Sequence, residues 1–332
     1  MGDPILREIQ PSPAEPGSGA ATQQVDLSVV IPISDRHDDL AELYRVYASE
    51  LKRLGRSFEF IFVIDGYFEK ALETLQRMKK EGYPIRIIQF HRALGEATAL
   101  SVGFRYASAK QILTLSSYFQ VEPEEMAKVI NAMDDVDLVI SRRYPRTDSW
   151  INRFQSGVFH WLTGWLTGVR YHDITCGFRG MSREVAGELN LYGDHHRFIP
   201  VLAHKQGFKI AEIPVRQHPK DRGTRIQKPG IYLRRFLDIL IVFFLTKFTK
   251  KPLRFFGLIG STLFLTGSFV TLYLAIYRIF GYGGIADRPL LVLGVLLMVL
   301  GVQLLSIGLI GEIVIFTHAR EIKDYRVKET ME

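Results

Sequence analysis

Two patterns of hydrophobic and polar positions follow one another along this chain, and the change between them divides it. From Val25 to about Ser141, short β-rich runs alternate with stretches whose apolar residues recur at helical spacing. Val25–Ile31, Phe58–Ile64, Ile85–Phe90, Gln111–Leu115 and Asp137–Ile140 read as strands. Asp38–Lys52, Phe68–Lys80, a segment from about Gly95 to Ala107 and another beginning near Pro123 read as helices. This alternation predicts βαβ units, hence an α/β fold with a mainly parallel sheet covered by helices on both faces. Such sheets bind ligands beyond the carboxyl ends of their strands. The residues just after Ile31, Ile64 and Leu115 are therefore the first place to look for chemistry.

The final third has a different pattern. Phe255–Ile276 carries no charge over 22 residues and Pro289–Gly311 none over 23. At 1.5 Å per residue, each is long enough to cross a hydrocarbon core of about 30 Å. Lys247, Lys250, Lys251 and Arg254 precede the first span, and Arg320, Lys323, Arg326 and Lys328 follow the second. The connecting loop has only Arg278, Asp287 and Arg288, so both ends are expected in the cytoplasm and the loop outside. Gly230–Phe248 mixes Arg234, Arg235 and Asp238 with a broad apolar face and reads as an interfacial helix. The expected layout is a disordered tail (1–24), a cytoplasmic domain (25–229), a juxtamembrane helix (230–254), a transmembrane hairpin (255–311, with spans 255–276 and 289–311) and a cytoplasmic C-terminal segment (312–332). The tail shows no basic segment followed by an apolar run, so no secretory signal is expected. The expected location is the cytoplasmic membrane, multi-pass.

Composition narrows the partners. With 47% hydrophobic and 23% charged residues, the chain is neither disordered nor a disulfide scaffold. Cys176 is its one cysteine and cannot form an internal disulfide. Forty-two Lys+Arg against 35 Asp+Glu give a net charge of +7. The excess gathers beside the apolar spans, at Lys220, Arg222, Arg225 and Lys228 among others. No aromatic-and-basic module or zinc-finger spacing accompanies it, so a lipid bilayer or a phosphorylated lipid is the expected partner rather than nucleic acid.

An ordered set of short motifs then carries a resemblance. A strand ending Val-Val-Ile-Pro, another ending Asp65-Gly66, an R-x-x-G at Arg92–Gly95, and later DITCGFRG, HRFIP and EIPVRQHP occur in that order ahead of the two spans. Together they resemble glycosyltransferase family 2, in its polyprenyl-phosphate branch, from about Val25 onward. The resemblance implies a GT-A-like nucleotide-binding α/β domain. It also implies transfer of a sugar, with inversion, from a nucleotide sugar to a polyprenyl phosphate, with a divalent metal (Mg or Mn) as cofactor.

Carried over residue by residue, the resemblance implies nucleotide contacts at Pro32, Asp35, Asp65 and Arg92. It implies Asp173 as the catalytic or orienting carboxylate, and an acceptor-phosphate site at Arg142, Arg143, Arg153 and Ser156. The donor half departs from the family pattern. Arg36 stands where the family carries a glutamate, and Gly66 follows a single aspartate instead of two. The family's Asp-x-Asp-x-Gln metal motif reads Ser116-Ser117-Tyr118-Phe119-Gln120, which leaves only Gln120 as a neutral metal ligand. A hard cation prefers anionic oxygen; Glu122, Glu124 and Glu125 lie nearby but open the next helix, where they also satisfy its positive end. If no metal binds, other cations must serve, and Arg36, Arg92, Arg222 and Arg225 are the candidates.

Two functions remain open on this ground. One is a membrane glycosyltransferase that loads a polyprenyl phosphate. The other is a pseudo-glycosyltransferase that binds a lipid phosphate or a partner enzyme without catalysis. Glycines at 294, 301 and 308 recur every seven residues and fit either a homo-oligomeric seam or the internal hairpin.

Overall fold

In the computed structural model of the protein, the described residues are 25–146, 171–191, 193, 195–221, 252–281 and 289–318, with isolated positions between 157 and 169 and at 237. The tail, most of the juxtamembrane segment and the residues beyond 318 lie outside them. The elements run β1 (Leu27–Ile33), α1 (Leu40–Arg53), β2 (Phe58–Ile64), α2 (Glu69–Lys80), β3 (Ile85–Gln89), α3 (Glu96–Tyr106), β4 (Gln111–Thr114), α4 (Met126–Ala132) and β5 (Leu138–Arg143). They continue with β6 (Arg179–Ser182), α5 (Arg183–Glu188), α6 (Ile199–Lys205), β7 (Ile210–Val215), α7 (Pro252–Ile279) and α8 (Pro289–His318).

One seven-stranded sheet has the order β3-β2-β1-β4-β6-β5-β7. All neighbours are parallel except β6, which is wedged antiparallel between β4 and β5. Strands β1, β2, β4, β5 and β7 therefore end on the same edge, where β6 begins. The expected mainly parallel sheet is present, with one strand reversed.

The central strands β1, β2, β4 and β5 are buried almost throughout, as their apolar runs require, whereas the edge strands β3 and β7 are only partly covered. One core packs α1, α2 and α4 against the sheet through residues such as Leu43, Leu51, Phe60, Phe62, Leu75 and Val129. The other packs α3, α5 and α6 through Val30, Ile61, Leu100, Ile140, Val185 and Ile199. Gly103 lets α3 approach β1: a Cβ there would lie 2.4 Å from Val30 Cγ1. Strand β1 extends two residues beyond its expected end, through Pro32. Its pairing with β4 stops at Val30 while its pairing with β2 continues to Ile33. The side of Pro32 that lacks an N–H thus faces no ladder partner.

The two long helices form a hairpin of 28 and 30 residues, apolar enough to span a membrane. Large apolar side chains such as Leu258, Phe269, Val292 and Ile310 point outwards, as expected of helices facing lipid rather than a protein core. Between the helices runs a seam of small residues. A Cβ at Gly301 would meet the Gly260 carbonyl at 2.6 Å, and one at Gly267 would meet the Gly294 carbonyl at 2.5 Å. Gly308 faces Leu253 and Phe256 in the same way. The glycine heptad therefore serves the intramolecular contact, where close backbone approach replaces the missing hydrophobic drive between helices.

This seam sets a test. Gly301→Val forces an overpacked contact that should cost about 1–3 kcal/mol. Gly187→Ala, in α5 with open space around it, should instead be neutral or stabilising by up to about 1 kcal/mol. Thermal unfolding of the purified protein in detergent compares the two; equal shifts would dissolve the seam.

Candidate active site

The carboxyl edge of the sheet gathers six loops: those after β1, β2, β4, β5 and β7, and the turn leading into β6. The loop after β2 is organised by Asp65, which is buried. Its two carboxylate oxygens accept the N–H groups of Leu94 (2.6 Å) and Gly95 (2.9 Å), at the start of α3. Gly66 and Gly95 both have positive φ, and a Cβ on Gly66 would press on the Ala93 backbone at 3.1 Å. Asp65 thus fixes the shape of the turn that the family resemblance assigns to the nucleotide. Pro32 is buried in β1, whereas Asp35 and Arg92 are exposed on neighbouring loops at the same edge. Tyr67, 89% exposed, stands beside them.

Loops after β1 and β4 are zipped together. Ser117 Oγ donates to the Arg36 carbonyl at 2.7 Å, Asp38 N–H donates to the Ser117 carbonyl at 2.9 Å, and Phe119 N–H donates to Asp38 Oδ2 at 2.9 Å. Across this zip, the Arg36 guanidinium lies 3.6 Å from the centroid of the Tyr118 ring. Gln120 is buried and its Oε1 accepts the Gly177 N–H at 2.8 Å, with Ser116 Oγ at 3.2 Å. A Cβ on Gly177 would lie 2.5 Å from Ser116 Oγ, so a larger residue there would displace that hydroxyl.

These residues do not fit a divalent cation. The family's carboxylate positions hold a hydroxyl and a phenol, the Gln120 oxygen is occupied by a backbone donor, and a guanidinium covers Tyr118. Glu125 is turned away: its oxygens meet Lys128 (2.6 Å) and Arg216 (2.7 Å). Burial raises its pKa, but the two cations more than offset this and hold the carboxyl below its ordinary value. Glu124 lies 3.9 Å from the same arginine. Among the described residues, no group of three His, Cys, Asp or Glu is placed to hold a metal ion.

The other half of the edge is built around Arg143, whose side chain is 4% exposed. Its Nε and Nη2 grip both oxygens of Asp173, at 2.7 and 3.0 Å, and Nη2 also reaches Thr175 Oγ1 at 3.1 Å. Its Nη1 donates to Asp221 Oδ2 at 3.3 Å. Burial disfavours the charge of Arg143, yet Asp173 and Asp221 hold it firmly protonated. Asp221 is itself fully buried and accepts from Gln217 Nε2 (2.9 Å) and Arg36 Nη2 (3.0 Å). The result is one continuous chain of alternating charge, Arg36–Asp221–Arg143–Asp173, running from the loop after β1 to the turn before β6. Behind it, Glu212 of β7 anchors that turn by accepting the N–H groups of His172 (2.8 Å) and Asp173 (3.1 Å).

Of the residues expected at the acceptor, Arg142 is half-buried with its guanidinium 5.3 Å above the Tyr144 ring. Arg143 lies beneath it in the ion chain. Arg153 and Ser156 lie outside the described residues. Cys176 is buried and its thiol is pushed up to about 11, mainly by burial. In the retained HRFIP motif, His196 is buried and held well below its ordinary pKa, first by desolvation and then by neighbouring Arg197 and Arg179. Arg179 donates to the carbonyls of His196 (2.8 Å) and Ile174 (2.9 Å), tying that motif to the Asp173 turn.

Sequence reasoning missed Asp221 and Gln217. Gln217 sits near the end of the EIPVRQHP motif and Asp221 lies two residues beyond it, one acid within a basic run. The signal that could have found it is that lone acid: a single Asp between Lys220 and Arg222 needs a reason to be there.

Removing the centre of the chain leaves two buried carboxylates facing each other. Arg143→Ala should therefore cost about 3–5 kcal/mol. Arg146→Ala, in the loop after β5, should cost under about 1 kcal/mol. Denaturant unfolding in detergent measures both, and a small effect at Arg143 would mean that the buried chain does not hold this edge together.

Comparison with known proteins identifies the family and the fold. The family model described as "Glycosyl transferase family 2" matches residues 28–189. The chain is 28% identical over 313 residues to a dodecaprenyl-phosphate galacturonate synthase of Rhizobium johnstonii, covering 92% of each. It is 30% identical over 292 residues to an undecaprenyl-phosphate 4-deoxy-4-formamido-L-arabinose transferase of Pseudomonas paraeruginosa, covering 87% of this chain and 85% of that one. Among solved structures, mannosyl-3-phosphoglycerate synthase from Rubrobacter xylanophilus superposes with a TM-score of 0.53 at 13% identity, covering 67% of this chain and 75% of that one. Glucosyl-3-phosphoglycerate synthase from Mycobacterium tuberculosis, crystallised with Mn2+, UDP-glucose and phosphoglyceric acid, gives 0.50 at 15% identity, covering 67% and 79%. These solved structures share the GT-A-like fold. With its sheet order, its carboxyl-edge site and relatives matched over most of their length, the chain belongs to glycosyl transferase family 2.

Proposed function

We propose that this glycosyltransferase moves a sugar from a nucleotide sugar to a polyprenyl phosphate at the face of a membrane. What carries the reading is the joining, in one chain, of a GT-A-like carboxyl edge to an apolar helical hairpin, matched over most of their length by transferases named for polyprenyl phosphates. No specific observation favours the non-catalytic alternative.

In this reading a phosphate oxygen of the lipid attacks the anomeric carbon of the sugar. The carbon's bond to the donor's diphosphate breaks with inversion, and the diphosphate leaves with the electron pair. A phosphate monoester has a second pKa near 6, so the nucleophile is already anionic at neutral pH and needs no strong base. Asp173, with both oxygens held by Arg143, is a positioning carboxylate: it fixes the turn before β6 and the loop after β5 relative to each other. Arg142, the more accessible arginine of the pair, takes the acceptor phosphate with Arg153 and Ser156, while Arg143 holds the loops that frame it. Pro32, Asp35, Asp65 and Arg92 frame the nucleotide, Asp65 through the loop it holds. The catalytic domain lies in the cytoplasm and the hairpin crosses the membrane twice.

Two measurements test this. With labelled sugar nucleotides and polyprenyl phosphate, the purified protein should form a lipid-linked sugar. Arg142→Ala should weaken lipid-phosphate binding by the loss of a charge-assisted contact, about 1.5–3 kcal/mol, without lowering stability; failure of every donor to react would reject the enzyme reading. For topology, a cysteine at Phe280 should react with impermeant reagents on intact cells, whereas one at exposed Glu69 should not. The native thiol is buried and contributes no background. The reverse labelling pattern would place the domain outside.

A further inference from the structure

The departing diphosphate of the proposed reaction needs a cation beside it. Family members place a metal carboxylate after β4, at the position Tyr118 occupies here, and a cation already stands there. Arg36 Cζ lies 3.6 Å from the Tyr118 ring centroid. Its Nη2 is tethered to buried Asp221 at 3.0 Å, and its own carbonyl is held by Ser117 at 2.7 Å. The side chain remains 44% exposed, although Asp221 beneath it is fully buried. The guanidinium is thus fixed by Asp221 and the Tyr118 ring, with part of its surface open to solvent.

Hydrogen-bonding geometry supports the assignment. Asp221 accepts from Arg36 through Oδ1, while its Oδ2 meets Arg143 and Gln217. That contact engages Nη2 of Arg36, and the guanidinium remains partly exposed at the solvent end of the chain. A planar guanidinium offers several N–H groups to phosphate oxygens and stacks on an aromatic ring as an ammonium does less well. Resting on the proposed donor reaction, we infer that Arg36, seated on Tyr118 and braced by Asp221, binds the diphosphate of the sugar nucleotide in place of a divalent metal ion. As the bond from the anomeric carbon to the diphosphate breaks, its electron pair passes to the phosphate oxygen, where the Arg36 N–H groups receive the added charge. Donor binding is then independent of metal, and Arg36 rather than a carboxylate carries the site.

Equilibrium binding of UDP, GDP, CDP and inorganic pyrophosphate to the full chain in detergent tests this, in Mn2+, in Mg2+ and in excess chelator. The wild type should bind one of these ligands with affinities within about threefold across the three conditions. Arg36→Gln should weaken that binding by about tenfold or more, as loss of a charged contact predicts. Arg36→Lys should retain part of it, and Tyr118→Leu, which leaves the ion chain whole, should weaken it several-fold. Unfolding temperatures of the variants separate lost binding from lost folding. Collapse of wild-type binding in chelator would restore the metal and overturn the inference, while leaving the transferase reading intact. Metal-independent binding that Arg36→Gln leaves unchanged would also overturn it. Failure of every probe to bind under all conditions would sink the donor reading itself, and this inference with it.

Discussion

The carboxyl edge of this sheet depends on a buried run of alternating charge. Arg143 and Asp221 are almost wholly withdrawn from solvent, and so is Asp173. Isolated, each would cost several kcal/mol to bury. Together they satisfy one another through hydrogen-bonded geometry, and the gain lies in position more than in stability. The run joins the strand end of β5, the turn into β6, the loop after β7 and the loop after β1. These are segments far apart in sequence that no single element could align. Because β6 is inserted antiparallel, the turn preceding it lies beside the strand ends of β4 and β5, and the buried arginine is what keeps it there.

The two sides of the cleft are held by different physics. On the side of β1, β2 and β4, side chains bind backbone: Asp65 holds the start of α3, while Asp38 and Ser117 zip two loops together. Such contacts set loop shape and leave the cleft's charge to exposed Arg36 and Arg92. On the side of β5, β6 and β7, side chains bind one another, so the buried charges are already paired and Arg142 is the more accessible arginine.

Much of the fold was legible in the chain, because buried parallel strands are continuous apolar runs and their helices carry regular stripes. Phe58–Ile64 needed no adjustment at all. The reversed strand was not legible: Arg179–Ser182 has four residues, includes a glycine, and takes its identity from neighbours on both sides. In the site, Asp173 and Arg143 could be picked out from motifs, but their being partners could not, since 30 residues separate them. The sign change at Arg36 was visible in sequence. Its seat on Tyr118 and its tie to Asp221, 185 residues away, are facts of folding alone.

The hairpin also fixes something about depth. Its uncharged stretches, 22 and 23 residues, measure about 33 and 35 Å along their axes, close to the thickness of a bilayer's hydrocarbon. Arg254 and Arg278 bound the first and Glu312 follows the second. Sliding either helix by one turn, about 5.4 Å, would draw one of these charges towards the lipid interior. The glycine seam prevents one helix from slipping past the other, because carbonyls already meet α-carbons along its length. The two apolar stretches therefore keep one register with each other, and the charges that bound them can shift only together.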